Sequence, residues 1–504
     1  MHMGFGISTK GDKFIDEHGR QVILKGINMV SKDRNKGYIG TWDDEDFNKL
    51  KSWGVNVIRL GIIWDGLEPQ PGVYNDEYLD RMDRIIELAY RNDIWVILDM
   101  HQDLYSYVYG ADGAPAWACL DDGLPHIAHE GTWSDAYFTS PAIQRAFDNF
   151  WDNIKVDDLG LQDHYAAAWQ HVAMHYANND AVIGYDIMNE PFMGSRIKSL
   201  KESIYDEIKR ILAAKVPNDI DLELLSIGGI DSVLTSPEGR QKIISFLSDI
   251  NIFSSLIDSM EYESQRFERE YLMPFYDKVA KYIRKVDNNS ILFLETNITS
   301  NAGVRSGIEP IYLPAGKIDD RVAYAPHGYD IITDTSFLNL LSNQRINLIL
   351  SRHFEKAKEF SMPIIVGEWG AFYDNDGAED MAVFISRLFD KHLCSHTYWS
   401  YTDSHNLEQR GFFKALNTAY PMYTSGAIKS YSYNVYKKEF NFTWQEHGDI
   451  DMPTVIYMPG IINLHDIELE PKLHEFSLKM INDKDGYIII PPVGRECVRS
   501  FRSL

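Results

Sequence analysis

The sequence predicts an α/β fold, a (β/α)8 barrel carrying a small C-terminal β-sandwich. Three observations predict it. Eight strand-like apolar runs alternate with amphipathic helical patterns between about residues 20 and 405, the order expected of a closed parallel sheet wrapped in helices. Polar residues keep falling at the C-terminal ends of those runs, where such barrels place their sites. Beyond about residue 425 helical periodicity stops, and short apolar runs are separated by Gly, Pro, Asn and Asp, as in a sandwich.

The barrel elements follow in order. QVILKGIN is the first run. The helical stretch DDEDFNKLKSWG leads to NVIRLGI, and YLDRMDRIIELAYRND leads to IWVILDM. HYAAAWQHVAMHYANND precedes the fourth run, AVIGYDIM, and FYDKVAKYIRKVDNN precedes SILFLET. VAYAPHGY is sixth. NLILSRHFEKAKEF leads to MPIIVGEW, and DMAVFISRLFDKHLC to SHTYWSYT. The runs are short and partly β-branched, and the stretches between them repeat apolar residues every three to four positions. FNFTWQE, TVIYMPG, EFSLKMIN and GYIIIPP are the sandwich strands.

The expected domains are a barrel over residues 1–424 and a sandwich over 425–504, with a mostly helical insertion at about 196–264. That stretch is far longer than an ordinary βα loop. It holds the amphipathic SLKESIYDEIKRILAAK and the more apolar RQKIISFLSDINIFSSLIDSM. It springs from the catalytic end beside Glu190, so it is read as a lid or pocket wall. A peripheral insertion packed on the barrel's flank is the alternative.

Composition excludes several classes. A net charge of −25 repels nucleic-acid phosphate and anionic headgroups, and no Lys/Arg run overrides it. Cys119, Cys394 and Cys497 show neither zinc spacing nor a disulfide framework. No dinucleotide fingerprint or phosphate loop follows the first strand, so no cofactor and no metal are expected. No run of apolar residues is long enough for a membrane span. MHMGFGISTKGDKF lacks the apolar core of a secretory leader. The expectation is therefore a cytoplasmic location, with a removed signal the alternative. Aromatic residues make up 13% of the chain, which suits stacking on flat sugar faces as well as core packing.

The strand ends carry the functional signal. In GYDIMNEPF an apolar run stops abruptly at Asn189-Glu190-Pro191, and a carboxylate there loses hydration unless it has a partner or a task. The same end of the other runs carries Asn28, Arg59, Asp99 with His101, Glu295 with Asn297, His327 with Tyr329, Glu368, and Trp399. Taken singly, a strand-end His or Trp is ordinary packing. Taken together on one rim, they point to a site. Glu190 after the fourth strand and Glu368 after the seventh would face each other across the mouth. Two facing carboxylates are what glycoside hydrolysis needs, one to protonate the leaving oxygen and one to attack the anomeric carbon or activate water. Arg59 and Tyr329 suit holding a carboxylate ionised, Asn189 can bond a sugar 2-hydroxyl, Trp399 can floor a sugar ring, and His101 and His327 can orient hydroxyls.

Particular stretches also resemble a known family. EPQPGVYNDEYLDRMD (68–83), LDMHQDLYS (98–106), GAPAWA (113–118), AFDNFWDN (146–153), NNDAVIGYDIMNEPFMGS (178–195), YAPHGY (324–329), VGEWG (366–370), YWS (398–400) and MPTVIYMPG (452–460) resemble glycoside hydrolase family 5, and within it the endoglycoceramidase group. The resemblance implies a (β/α)8 barrel with a C-terminal sandwich, and cleavage, with retention, of the β-linkage between a glycan and ceramide. It implies Glu190 as acid/base and Glu368 as nucleophile. Asn189, Asp103, His101, His327, Tyr329 and Trp399 would line the glycone site, and Lys32 in MVSKDRNKG would match a sugar-contacting lysine. The insertion has no counterpart in the group's pattern, and LNTAYPMYTSG stands where the group tends to carry Arg-Pro-Tyr-Pro. Both bear on the aglycone. The expected partner is a glycolipid or other apolar β-glycoside, with transient contact to lipid surfaces or micelles, and the oligomeric state is left open. The alternatives are a β-glucosidase for steryl glucosides, glucosylceramide or simple β-glucosides, a glucanase, and a non-catalytic carbohydrate- or lipid-binding barrel.

Overall fold

The computed structural model describes residues 6–503 apart from 129–131, 216–243, 314–315, 334, 336–339, 403–405, 461–466 and 472–475. Parallel strands close into a barrel: β1 Lys25–Met29, β2 Val57–Ile63, β3 Trp95–His101, β4 Val182–Asp186, β5 Ile291–Leu294, β6, β7 Ile365–Gly370 and β8 Ser395–Trp399. β6 runs in two pieces, Val322–Tyr324 and His327–Gly328. The first pairs with β5 and the second with β7, in the register His327↔Glu368. Pro326 between them has no N–H to give the ladder. β8 pairs with β1 and closes the ring.

Strand alternation divides the side chains between two environments. Ile58, Leu60 and Ile62 of β2 and Val96, Leu98 and Met100 of β3 pack against the surrounding helices. The intervening Val57, Trp95 and Ile97 belong to a second core, with Ile183, Phe293, Ala323 and Ile365. Further along the same inward rows stand Arg59, Asp99 and His101, all buried. The barrel interior is thus apolar at its base and charged at its mouth.

Helices link most strands, including Asp44–Ser52, Asp76–Arg91, Leu161–Tyr176, Met273–Ile283, Asn343–Phe360 and Glu379–His392. Asp43 begins the first with a reciprocal capping box to Asp46. Among the described residues none is long and apolar enough to cross a membrane.

The insertion begins with a helix, Ile197–Lys215, and resumes with Ile250–Ser259 and Glu261–Phe267. Ile211, Ile252 and Leu256 pack together. Arg352 of the helix Asn343–Phe360 donates to Asp258 at 2.6 Å, and Arg196 donates to Asp148 and Asp152. These parts lie on the barrel's flank. The middle of the span read as a lid, 216–243, lies outside the described residues.

The C-terminal region forms two antiparallel sheets. Gly426–Asn434, Glu439–Glu446, Cys497–Ser503 and Ile467–Glu470 make one. Tyr420–Thr424, Thr454–Met458, Gly486–Ile490 and Ser477–Met480 make the other, and the chain's first strands, Ile7–Lys10, Lys13–Asp16 and Gln21–Val22, extend it. QVILKGIN, read as one barrel strand, is therefore two. Gln21–Val22 pairs with Tyr420–Thr424, and Lys25–Met29 enters the barrel. Every residue from Gln21 to Met29 is buried, so the apolar pattern carries no mark of the switch.

Phe14 of the N-terminal hairpin meets Phe293 at 6.3 Å between ring centroids, and the barrel base and the sandwich share one apolar cluster. Phe14→Ala should therefore cost about 3–5 kcal/mol, read as a lowered urea midpoint. A change below about 0.5 kcal/mol, the range of surface substitutions, would mean the hairpin does not seal the base.

Candidate active site

Arg59 organises the mouth from the middle of β2, at 1% exposure. Its Nε donates to Asp186 Oδ2 at 2.8 Å, and its Nη1 to Glu368 Oε1 at 2.8 Å and Asn28 Oδ1 at 3.1 Å. Its Nη2 donates to Asn189 Oδ1 at 3.0 Å and Glu295 Oε1 at 2.5 Å, and lies 2.9 Å from Asp99 Oδ1. Burial opposes the charge, yet Asp99, Asp186 and Glu295 raise the guanidinium well above its ordinary value. One cation cannot balance four carboxylates at this depth. Asp186 bears the mismatch, since burial and then Glu295 push its carboxyl well above its ordinary value. Burial acts on Glu295 in the same sense, but His327 and Arg59 hold it below its ordinary value.

The two candidate carboxylates meet above this layer. One oxygen of Glu190, one of Glu368 and a ring nitrogen of His327 all lie within 4.8 Å of one another. Glu368 accepts from Arg59 Nη1 on Oε1 and from the Tyr329 hydroxyl on Oε2, both at 2.8 Å. Glu190 accepts on Oε1 from Asn301 Nδ2 at 2.6 Å and His327 Nδ1 at 2.9 Å. Glu190 has φ +43°, a conformation non-glycine residues rarely adopt. It is held there because its N–H donates to Glu295 Oε2 at 2.8 Å while Gln102 Nε2 donates to the Asn189 and Glu190 carbonyls at 2.9 and 3.2 Å. The strand in GYDIMNEPF stops where this turn delivers Glu190 into the mouth.

Burial would lower the His327 imidazole, but Glu295 and Glu368 raise it well above its ordinary value. His101 behaves alike: burial opposes its charge, and Asp99, 2.8 Å away, helps bring it up to about 10. His101 stacks on Trp399, with centroids 5.4 Å apart. Lys32 Nζ lies over the Trp399 ring, 4.7 Å from its centroid, and pairs with Asp103. Against the upward push of burial, Lys32 and His101 hold the Asp103 carboxyl down to about 2.

A cavity of about 220 Å³ opens between these groups. Lys32, His101, Asp103, Asn189, Glu190, Tyr329, Glu368 and Trp399 line it, while Arg59 and His327 stand directly behind its carboxylates. Asn297 does not line it. Its side chain is buried and taken up by Ser264, Glu268 and Thr299, so it builds a loop instead of meeting a ligand. Asn301, Trp133, Ser134, Ile298, Asp330, Thr333 and Tyr373 line the cavity as well. They sit in loops without apolar periodicity, and only Asn301 had a signal, as a polar residue four positions beyond a strand-end Asn. None of the described residues of the insertion lines the cavity.

Among the described residues, three buried clusters bring potential metal-ligand atoms within 4.8 Å: Asp99–Asp186–Glu295, His101–Asp103–Asp112 and Glu190–His327–Glu368. Arg59 already occupies the first, and Lys32 pairs with Asp103 in the second. The third is the facing carboxylate pair itself.

A closed parallel barrel with two carboxylates converging at the ends of β4 and β7 has the design of a glycoside hydrolase. The family model for cellulase (glycosyl hydrolase family 5) matches residues 15–220 and 260–405, and that for the glycoside hydrolase family 5 C-terminal domain matches 419–484. The chain belongs to glycoside hydrolase family 5. It is similar to an endoglycoceramidase of Hydra vulgaris, 30% identical over 219 residues, covering 38% of this chain and 41% of that protein. Two solved structures of endo-glycoceramidase II from Rhodococcus sp. superpose along nearly the whole chain. The ganglioside GM3 complex has a TM-score of 0.73 at 26% identity, covering 98% of this chain and 99% of that one. The lactosyl-enzyme intermediate has a TM-score of 0.71 at 26% identity, covering 97% and 98%.

Replacing Arg59 by Met leaves buried carboxylates uncompensated. It should cost about 3–5 kcal/mol or more and lower the thermal midpoint sharply. Unchanged unfolding would show that proton uptake by the carboxylates alone can balance the mouth.

Proposed function

We propose that this chain is a retaining β-glycosidase that splits a sugar or glycan from an apolar aglycone, with the ceramide of glycosphingolipids as the aglycone. The observation that carries this reading is the approach of Glu190 and Glu368 oxygens to within 4.8 Å. Retaining pairs stand about 5–5.5 Å apart, and inverting pairs need about 6.5–9.5 Å to admit a water.

In the first step a Glu368 oxygen attacks the anomeric carbon and the glycosidic C–O bond breaks. Glu190 gives its proton to the departing oxygen. Its Oε1 is already bonded by Asn301 and His327, so Oε2 carries that proton. In the second step Glu190, now ionised, takes a proton from water as the water attacks the anomeric carbon. The bond to Glu368 breaks, and the sugar leaves with its original configuration. Lys32, His101, Asp103 and Asn189 offer hydrogen bonds to the glycone, and the Trp399 ring offers it an apolar face. Ile298 donates its N–H to the Pro191 carbonyl and so places apolar surface beside the acid, where an apolar aglycone could pack. Trp133, 42% exposed, adds more at the rim.

Mass spectrometry of products from a panel tests the substrate: glucosylceramide, a longer glycosphingolipid, a steryl glucoside, a cello-oligosaccharide and an aryl β-glucoside. Release of an intact oligosaccharide plus ceramide supports the reading. Cleavage of monosaccharide conjugates alone moves the substrate to simple β-glucosides, and cleavage of the cello-oligosaccharide alone makes the chain a glucanase. Glu368→Gln should cut turnover at least about a thousandfold, ~4 kcal/mol of transition-state stabilisation, with substrate binding retained. Surviving turnover would remove Glu368 as the nucleophile.

The acid limb of the pH profile follows from Glu368. Burial pushes its carboxyl up to about 7 against the pull of His327 and Arg59, with Glu190 adding to the push. The nucleophile must be ionised, so kcat/KM should rise with pH through about 7. Tyr329→Phe removes a donor to the ionised form and should move that limb to higher pH. A limb near ordinary carboxylate values, or one that Tyr329→Phe leaves in place, would contradict the assignment.

A further inference from the structure

We infer that Glu268, on the helical segment that follows the insertion, is a positioning residue that fixes Asn301 against the Glu190 carboxylate. The inference rests on the reading of Glu190 as the general acid. Glu268 opens a π-helical turn, Glu268–Leu272, between Glu261–Phe267 and Met273–Ile283. Such turns inside α-helices are frequent at functional sites. Its side chain is fully buried and reaches both ends of the loop after β5. Oε1 accepts from the Asn297 N–H at 2.9 Å and from Asn297 Nδ2 at 2.8 Å. Oε2 accepts from Ser306 Oγ at 3.1 Å and from the Gly307 N–H.

One carboxylate thus staples residues 297 and 307 together. Between them runs a short 3-10 helix, Ile298–Ala302, which Asn297 caps by accepting from Thr299. Ser264 Oγ, at the end of the insertion, accepts from Asn297 Nδ2 and shares a hydrogen bond with Thr299 Oγ1, each at 2.9 Å. The turn's fourth residue is Asn301, whose amide donates to Glu190 Oε1 at 2.6 Å. The path from Glu268 to the acid is therefore a cap, one helical turn and one hydrogen bond. None of the Glu268 contacts reaches the cavity, so the residue acts through the turn that carries Asn301.

A glutamine at 268 keeps the size but sets an NH2 group against donors at one end of the loop. The staple then fails on that side and the turn is free to carry Asn301 away from Glu190. The acid loses its orientation, which matters most where the leaving oxygen needs a proton.

Crystal structures of Glu268→Gln and kinetics of Glu268→Gln, Asn301→Ala and the double variant test this. In Glu268→Gln the Asn301–Glu190 distance should open beyond hydrogen-bond range. kcat/KM should fall on the order of tenfold for an alkyl β-glucoside and little for a dinitrophenyl β-glucoside, whose leaving group departs without a proton. Asn301→Ala should show the same split, and the double variant should add almost nothing. A folded Glu268→Gln with the Asn301 contact intact, or with equal losses on both glycosides, overturns the inference and leaves Glu268 a fold residue. Should Glu268→Gln not fold, Ser264→Ala loosens the same turn and should give the same split in weaker form, and its absence overturns the inference equally. The distance needs no turnover to be read. An inert wild type therefore fails the proposed function, while the crystal structure still decides the positioning claim. Likewise, a shift confined to Asn301→Ala would leave the acid assignment standing and remove Glu268 from it.

Discussion

The guanidinium of Arg59 is the interaction on which the rest of this molecule's mouth depends. It is planar, donor-only and permanently charged, and from β2 it reaches Asn28, Asp99, Asp186, Asn189, Glu295 and Glu368. Those partners sit on or just after β1, β3, β4, β5 and β7. No lysine could span them, because an ammonium offers a point charge and not a fork. The strand ends can hold acidic side chains in the interior because this cation stands between them, with His327 and His101 beside it. Its supply of charge is short, and the carboxylates shift what surrounds them: Asp186 is pushed well above its ordinary value, His327 and His101 are raised, and Glu368 is brought up to about 7.

Every layer above follows from that base. Glu295 is anchored by Arg59 and in turn receives the Glu190 N–H, which helps hold the left-handed turn at Glu190. Glu368 is fixed from below by Arg59 and from above by Tyr329. The two carboxylates therefore differ in what presses on them. Glu368 accepts two donors on separate oxygens, while the two donors to Glu190 among the described residues share one oxygen. The proposed mechanism draws on that asymmetry, with one of them to attack and the other to carry a proton.

The barrel was legible because its strands are marked twice, by apolar runs and by the polar residue that ends each run. The rim residues Arg59, His101, Glu190, Tyr329, Glu368 and Trp399 could be named in order for that reason. Loop residues carry no such mark. Asn301 and Trp133 reach the cavity through the shapes of turns, which no periodicity announces. Asn297 shows the opposite failure: a polar strand-end residue looks the same in sequence whether it faces a ligand or caps a turn. Asp103 and Lys32 came through family resemblance, since neither ends a strand. The joint at Gln21–Met29 left no trace because both halves of the run are buried, one in each sheet.

That joint bears on how the protein is made. Strands near the start of the chain complete a sheet whose other members lie beyond Tyr420. On the ribosome the hairpin emerges before the barrel and meets its partner strands only after the barrel has been made. Until then Phe14 and the apolar base of the barrel face solvent, in a state open to association with other chains. Pairing of Gln21–Val22 with Tyr420–Thr424 acts as a clasp that closes only once that later strand exists, so a chain cut before Tyr420 would leave the barrel open underneath.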